Sequence, residues 1–373
     1  MSRTIMVFVA ALLPCPALAC SLCGGDLQTR ATIRQEVEKA KIVVAGTLSN
    51  PRLNSASPDG GTTDLVIEQI LKDHFTLKGK TQLTLSRYLP TEDKTPKFLL
   101  MADIADGKLD SLSGRYVKDE RIFDYVKAIL KLNEADGAKR LAFFFQYLDS
   151  PVPEIADDAY LEFAKSTDTD VGRAAKALDP DRLRRLVGDA KTPGNHLGMF
   201  AFLLGCCGND SDADLLLLRI KADTEQTRSA LRGLIAGYVE LRPKAGWELA
   251  ARIVNDPKCN FLDRYAALGV ARFFQNLKPA ESRTQILRIM TAGIGQGDLA
   301  EIPIEDLRRW GWWDLTDTVL GQFNKKTHDF PMVRLAIMRY ALACPKPEAV
   351  KFVAEMRKRD PKFVAEVEES LEP

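Results

Sequence analysis

The stretch Ser150-Pro-Val-Pro-Glu-Ile-Ala-Asp-Asp-Ala-Tyr-Leu-Glu-Phe-Ala164 sets the pattern for most of the chain. Its prolines can begin a helix but cannot continue one, because proline has no backbone N–H to donate. Ile155 and Phe163 then fall on one helical face. The same plan returns after Pro257 and Pro331. Since each such helix is short and apolar on one side, neighbouring helices must cover it, which predicts an array of stacked helices.

The composition is that of a globular protein with balanced charge. The 373 residues include 52 basic and 51 acidic side chains, and 46% of the residues are hydrophobic. This apolar fraction is sufficient for a buried core. Because the charges nearly cancel, the composition argues against a nucleic-acid ligand bound through bulk positive charge. It leaves a protein or a cell-envelope component as the expected partner.

The first residues have the three parts of a secretory signal peptide. Arg3 supplies a short positive region, residues 5–13 form an apolar run, and Ala17-Leu-Ala19 has the small residues of a cleavage site. We therefore expect residues 1–19 to be removed and the mature protein to be exported, to the periplasm, the cell envelope or the medium. No apolar run is long enough for a transmembrane helix. Because Cys20 follows the cleavage site as in a lipobox, a lipid anchor is the alternative to the free N-terminal cysteine that we favour.

Cys20 and Cys23 are the sharpest chemical feature of the sequence. In an oxidising compartment two cysteines this close can form a local disulfide, which is the interpretation we favour. A redox-active pair would need a helix N-terminus that follows a strand, and no strand pattern precedes these cysteines. A zinc site would need two further ligands, and the sequence contains no second Cys-x-x-Cys. The redox, metal and lipid-anchor interpretations stay open beside the disulfide.

After the cysteines the pattern changes from helical to extended. We expect a helix over 27–40, strands over 42–48, 64–72, 81–87 and 97–104, an exposed loop over 50–62, and no strand over 106–116. Strands connected by loops indicate a small β barrel within residues 20–110. From residue 117 to 373 the apolar period is helical. The predicted fold class is therefore α+β and multidomain, with a β barrel followed by an all-α array.

Residues 20–105 resemble the netrin-like domain of tissue inhibitors of metalloproteases. The resemblance is carried by Cys20-Ser21 with a second cysteine nearby, by the run from Ala40 to Thr47, and by the run from Asp64 to Lys72. It implies an OB-type barrel, and it implies that the amine and carbonyl of Cys20 can grip the zinc of a target protease. The family's barrel cysteines have no counterpart here, because no cysteine occurs between Cys23 and Cys206.

Two further resemblances concern the helical part and the whole chain. Helices of about 10 to 16 residues separated by prolines resemble HEAT-type arrays in their spacing. The chain as a whole is similar to uncharacterised exported bacterial proteins with the same two-part layout. Neither resemblance implies an activity.

A tryptophan patch is the candidate binding surface of the helical region. Trp310, Trp312 and Trp313 lie beside Arg308 and Arg309 in the sequence. Such a group can form a stacking surface for a sugar or a peptide. The interpretation we favour is that the aromatic side chains lock two helices together, because Trp is highly buried on average.

No catalytic motif is present, and we expect neither a cofactor nor a metal ion. His74, His196 and His328 are far apart in the sequence. Cys206, Cys207, Cys259 and Cys344 are interpreted as free thiols, and their pairing through the fold is the open alternative. We therefore predict an exported, non-enzymatic binding or scaffold protein. The alternatives are a thiol-disulfide oxidoreductase that uses Cys20 and Cys23, and an inhibitor-like protein that binds a metalloprotease through Cys20.

Overall fold

The structure is a computed structural model that describes residues 29–54, 60–91, 96–105 and 108–371. The predicted signal peptide and the pair Cys20 and Cys23 lie outside the described residues. The chain divides into a sheet with one leading helix and a long helical region.

The N-terminal part consists of α1 Ile33–Lys39, β1 Ile42–Leu53, β2 Gly61–Lys72, β3 Gln82–Leu85, β4 Lys97–Ala105 and β5 Lys108–Tyr116. The strands form one antiparallel sheet in the order β3-β2-β1-β4-β5. Within the described residues no ladder joins β3 to β5, so these two strands are the edges of the sheet.

The four strands predicted from the sequence are present, but three expectations need correction. The loop expected over 50–62 is shorter, because β1 continues to Leu53 and β2 begins at Gly61. Residues 106–116 were expected to lack a strand, yet 108–116 is β5, which pairs with β4. The reason is that an edge strand is fixed by backbone hydrogen bonds on one side, so a polar sequence can form it without a strong apolar pattern. The helix expected over 27–40 spans only Ile33–Lys39, and Thr32 begins it with a capping box that includes Gln35.

The start of β1 is buried on both faces of the sheet, which explains its continuous apolar run. Ile42 and Val44 face a small core on one side of the sheet. Val43 and Ala45 face the other side and belong to the same core as the helices. The sheet is therefore one wall of the main core, and the helical region packs directly on it.

The helical region occupies the rest of the chain. Its helices are α2 Arg121–Lys131, α3 Gly137–Phe145, α4 Pro153–Ala164, α5 Asp168–Ala175, α6 Pro180–Gly188, α7 Gly194–Cys207, α8 Asp210–Lys221, α9 Glu225–Ser229, α10 Leu231–Leu241, α11 Pro243–Asn255, α12 Phe261–Leu277, α13 Pro279–Ile294, α14 Glu301–Trp310, α15 Thr316–Leu320, α16 Pro331–Ala343, α17 Pro347–Arg359 and α18 Pro361–Glu369. Many of them begin with proline, as the sequence predicted.

Ion pairs that involve helices and the segments between them recur at a similar distance along the chain. Their partners are separated by 28 to 38 residues, about the length of two helices with their loops. The pairs are Arg182–Asp149, Arg184–Asp212, Arg242–Asp210, Lys278–Glu240, Arg264–Asp298, Arg272–Asp306 and Arg283–Asp314. This spacing is what stacking of successive helix pairs produces.

Helices α7 and α10 cross with their backbones in direct contact. An added Cβ at Gly233 would overlap the carbonyl oxygen of Gly198, and one at Gly237 would overlap the carbonyl oxygen of Ala201. Both glycines lie in buried parts of α10. The absence of side chains at these positions therefore sets how closely the two helices approach.

We predict that Gly233→Ala destabilises the protein by about 1–3 kcal/mol, because the new methyl group meets backbone atoms that cannot move independently of α7. Chemical denaturation of the protein measures this loss. Gly188→Ala is the matched control, since it lies at the end of α6 with no atom within 4 Å of the added Cβ. Equal stability of the two variants would contradict the close crossing.

Candidate functional site

The N-terminal end of α1 is held by a buried carboxylate from α4. Asp158 Oδ1 accepts a hydrogen bond from the backbone N–H of Ile33 at 2.8 Å, and its Oδ2 accepts one from the Tyr125 hydroxyl at 2.7 Å. Asp158 is only 7% exposed. A negative group at a helix N-terminus also interacts favourably with the helix dipole. Asp158 thus fixes the start of α1 onto α4 and α2.

The C-terminal end of the same helix is held by the sheet. Lys72 at the end of β2 donates from Nζ to the carbonyl oxygens of Val37 and Ala40, at 2.9 and 2.6 Å. These are terminal carbonyl groups without a partner inside the helix. A cation at this end complements the dipole just as Asp158 does at the other. The short helix α1 therefore joins the sheet to the helical region.

Charged side chains along α1 add two further connections. Arg34 Nε donates to both carboxylate oxygens of Glu162 in α4, at 3.1 Å each. Arg115 in β5 donates to Glu36 in α1, and to Glu154 in α4 at 3.2 Å. Because α1, α4 and β5 share these groups, the three elements meet in one fixed arrangement.

A cleft of about 560 Å³ opens beside this arrangement. We call it the junction cleft. Its walls are Arg30 and Ala31 before α1, the end of β5 with residues 116–119, and residues 151–161 at the start of α4. The volume lies in the range of ligand-binding pockets. Asp158 lines the cleft, so the carboxylate that binds the N-terminal end of α1 is also part of the wall of the site.

Most acidic groups of the junction cleft are already paired inside the protein. Asp119 forms two hydrogen bonds with the guanidinium of Arg121, at 2.9 and 2.6 Å. These bonds lower the pKa of Asp119 to about 2. Glu154 is bound by Arg115. The cleft therefore holds several carboxylates but leaves few of them available to a ligand.

Asp158 has the opposite pKa shift. Burial raises the pKa of its carboxyl to about 6, although the N–H of Ile33 and the hydroxyl of Tyr125 favour the ionised form. Burial, and then the charge of Asp158, also raise the pKa of Tyr125, so this hydroxyl keeps its proton and acts as a donor. A perturbed carboxyl in a cleft is a mark of functional sites, and here its hydrogen bonds also give it a structural role.

His196 lies behind the cleft and packs on an aromatic ring. Its ring stacks on Tyr160 with 4.0 Å between the centroids, and its Nε2 lies 3.8 Å from Asp157 Oδ1. Burial lowers the pKa of His196 in spite of the charge of Asp157. The imidazole is therefore neutral at pH 7, and its main contact links α4 to α7.

The predicted tryptophan patch lies at the other end of the chain and is partly used in packing. Trp312 meets Trp310 edge to face at 5.3 Å, and Arg283 lies 4.1 Å above the Trp312 ring. Trp313 packs on Tyr340 of α16 at 5.0 Å. The three indoles are half-buried against the main core and connect α13, α14 and α16.

The two arginines of the predicted patch differ in exposure. Arg308 is half-buried and donates from Nε to Glu305 at 2.8 Å, whereas Arg309 is exposed. Together with the indoles, this geometry is that of aromatic side chains locking helices together. Ligand binding by the exposed part of the tryptophan patch stays a prediction.

The cysteines from Cys206 onward are free thiols, as predicted. Burial raises the pKa of Cys206 and raises that of Cys207 to about 11, so neither forms a thiolate near neutral pH. Burial also raises the pKa of Cys259. Cys344 is buried near Thr316 Oγ1, at 3.5 Å. These thiols are poor nucleophiles in the folded protein.

Neither a metal cluster nor a membrane-spanning helix emerges from the described part of the chain. No group of three or more His, Cys, Asp or Glu side chains in residues 29–54, 60–91, 96–105 and 108–371 is arranged to hold a metal ion. In the same residues no helix combines the length and apolar character needed to cross a bilayer.

We predict that Asp158 makes stability depend on pH in an unusual direction. Because its pKa is raised from 3.8 to about 6, the folded state binds a proton more tightly than the unfolded state. Its contribution to the free energy of unfolding therefore falls as pH rises from about 4 to about 6, by on the order of 3 kcal/mol. An Asp158→Asn variant lacks this titration while keeping a hydrogen-bond acceptor for Ile33.

Denaturation of both proteins at a series of pH values measures this difference. We expect the wild-type protein to lose stability relative to Asp158→Asn across that window. Asp157→Asn is the matched control, because its side chain lies one position away and is exposed to solvent. A constant difference between wild type and Asp158→Asn from pH 4 to pH 7 would contradict the raised pKa.

Comparison of the chain with protein-family models, with curated proteins and with solved structures finds no match. The assignment of function therefore depends on the residues of the junction cleft and their surroundings. No residue role is transferred from another protein.

Proposed function

We propose that this chain is an exported, non-enzymatic binding protein and that the junction cleft is its binding site. The observation that carries the proposal is the cleft of about 560 Å³, whose walls come from three separate elements that Asp158 and Arg115 hold together. A preformed concave site with a few polar groups is the usual form of a binding pocket. The signal-like residues 1–19 support export.

Within this proposal the sheet is an OB-like, netrin-like module and the helices are a HEAT-like array. The regular separation of the ion pairs, 28 to 38 residues, supports a repeating helical architecture. The antiparallel five-stranded sheet supports the first part only at the level of β structure. In this proposal both the sheet and the helical array present surfaces to a partner. The ion pairs between successive helix pairs fix the helices relative to one another.

Binding is favoured over catalysis by the state of the reactive groups. The carboxylates Asp119, Glu154 and Asp158 are engaged in hydrogen bonds within the protein. Catalysis would require a nucleophile, a base and an orienting group at one place. The thiols of Cys206, Cys207 and Cys259 have pKa values raised by burial, and none of these residues lines the cleft.

We predict that the mature chain, residues 20–373, captures a partner from an exported fraction and that blocking the cleft abolishes capture. Ala31→Trp places a large ring at the cleft, because Ala31 is exposed and lines it. Ala222→Trp is the matched control, since Ala222 is exposed at the end of α8. Quantitative mass spectrometry of the captured proteins compares the variants.

The result that contradicts the proposal is capture that Ala31→Trp leaves unchanged. Thiol-disulfide exchange that disappears in Cys23→Ser would support the oxidoreductase alternative instead. Inhibition of a metalloprotease that requires an unmodified Cys20 amine would support the inhibitor-like alternative. Cys20 and Cys23 lie outside the described part of the chain. Both assays therefore use the whole mature protein, residues 20–373, as the capture experiment does.

A further inference from the structure

We infer that the junction cleft recognises an acidic peptide segment, through a carboxylate bound between Arg30 and Lys118. This inference rests on the proposed binding function and specifies the chemistry of the ligand. The inference compares the charged side chains of the cleft that already bind another residue of the protein with those that do not.

Most carboxylates of the cleft already accept hydrogen bonds from other residues of the protein. Arg121 binds Asp119 with two hydrogen bonds, and Arg115 binds Glu154. Asp158 is buried under two donors. These groups have little capacity left for a cationic ligand, because each already accepts charge-assisted or neutral hydrogen bonds.

The basic side of the cleft is not neutralised. Arg30 and Lys118 are exposed and line the same cavity. No salt bridge joins either side chain to an acidic residue in the part of the chain that the structure describes. The backbone of Arg30 is held, since its carbonyl oxygen accepts from Lys165 Nζ at 2.8 Å. The cleft therefore offers two cations whose natural complement is an anion.

Asp157 limits which anion fits. Its carboxylate lines the cleft and is exposed, and its nearest basic neighbour is the neutral His196. A ligand with several clustered negative charges, such as a polyphosphate, is repelled by Asp157. A peptide instead presents one carboxylate to the cations and a backbone N–H to Asp157. The lining thus favours a peptide over a polyanion.

Apolar residues complete the match to a peptide. Val152 and Leu161 are buried at the base of the cleft, and Pro151, Pro153 and Tyr116 are exposed along its walls. Apolar surface next to a charge-binding group suits an acidic residue flanked by apolar side chains. An inorganic anion would leave this surface unused.

The test uses the full mature chain and two pooled libraries of fluorescein-labelled heptapeptides, measured by fluorescence anisotropy. The peptides are acetylated and amidated at their ends, carry Leu, Val, Ala or Ser at random, and differ only in a central Glu or Gln. We expect the Glu library to bind about tenfold more tightly, as hydrogen bonds to a charged group imply. Arg30→Gln and Lys118→Gln are each expected to remove most of this preference.

Lys362→Gln is the matched control, because Lys362 is exposed on α18 and does not line the cleft. It is expected to keep the wild-type preference. Melting curves of all variants verify that they fold, which the exposed positions of Arg30 and Lys118 lead us to expect.

Equal binding of the Glu and Gln libraries would overturn the inference. If Ala31→Trp still abolished that binding, the proposed function would stand without the acidic specificity. Tighter binding of inorganic tripolyphosphate than of the Glu library, lost in Arg30→Gln, would overturn the inference in favour of a polyanion site. Absence of saturable binding by either library would also overturn it, while the capture experiment decides the binding function separately.

Discussion

The buried carboxylate of Asp158 is the interaction on which the architecture depends. It accepts hydrogen bonds from the N–H of Ile33 and from the hydroxyl of Tyr125, and so holds the first turn of α1 against α4 and α2. Lys72 holds the opposite end of α1 to β2. A helix of seven residues is not stable alone. It persists because opposite charges from two different parts of the chain satisfy its two ends.

The helical region uses a different constraint, which is repeated along the chain. Ion pairs with a separation of about two helices connect one helix pair to the next, and the surface members of such pairs contribute little each. Packing contributes more. At the crossing of α7 and α10, Gly233 and Gly237 allow backbone contact, and the buried apolar side chains around them belong to the main core.

The sequence predicted the elements whose local pattern is strong. The apolar run from Ile42 to Ala45 indicated β1, and the prolines marked the helix starts. The polar edge strand β5 was missed, because its pairing with β4 supplies what its own pattern lacks. The shared core of sheet and helices was also not predictable, since periodicity shows that a face is buried but does not show its neighbour.

The candidate site could not be predicted from the sequence for a related reason. Asp158 stands in the stretch that sets the helical pattern, beside the apolar Ala159, and a carboxylate in such a place is the one local signal of a buried polar contact. Its partners Ile33 and Tyr125 are 125 and 33 residues away, so no local spacing identifies them. The tryptophan patch was predicted as a binding surface because its residues are close together in the sequence. In the structure its indoles are half-buried against the main core.

The central claim is that α1 joins the sheet and the start of the helical region into one cooperative unit. Hydrogen exchange of the protein in increasing denaturant, followed by mass spectrometry, tests it most directly. Val43 of β1 and Ile155 of α4 belong to one hydrophobic core. Peptides that cover β1 and peptides that cover α4 therefore report on the two sides of this core. The account predicts that both lose protection with the same dependence on denaturant. Loss of protection in β1 at a lower denaturant concentration, while α4 stays protected, would contradict it.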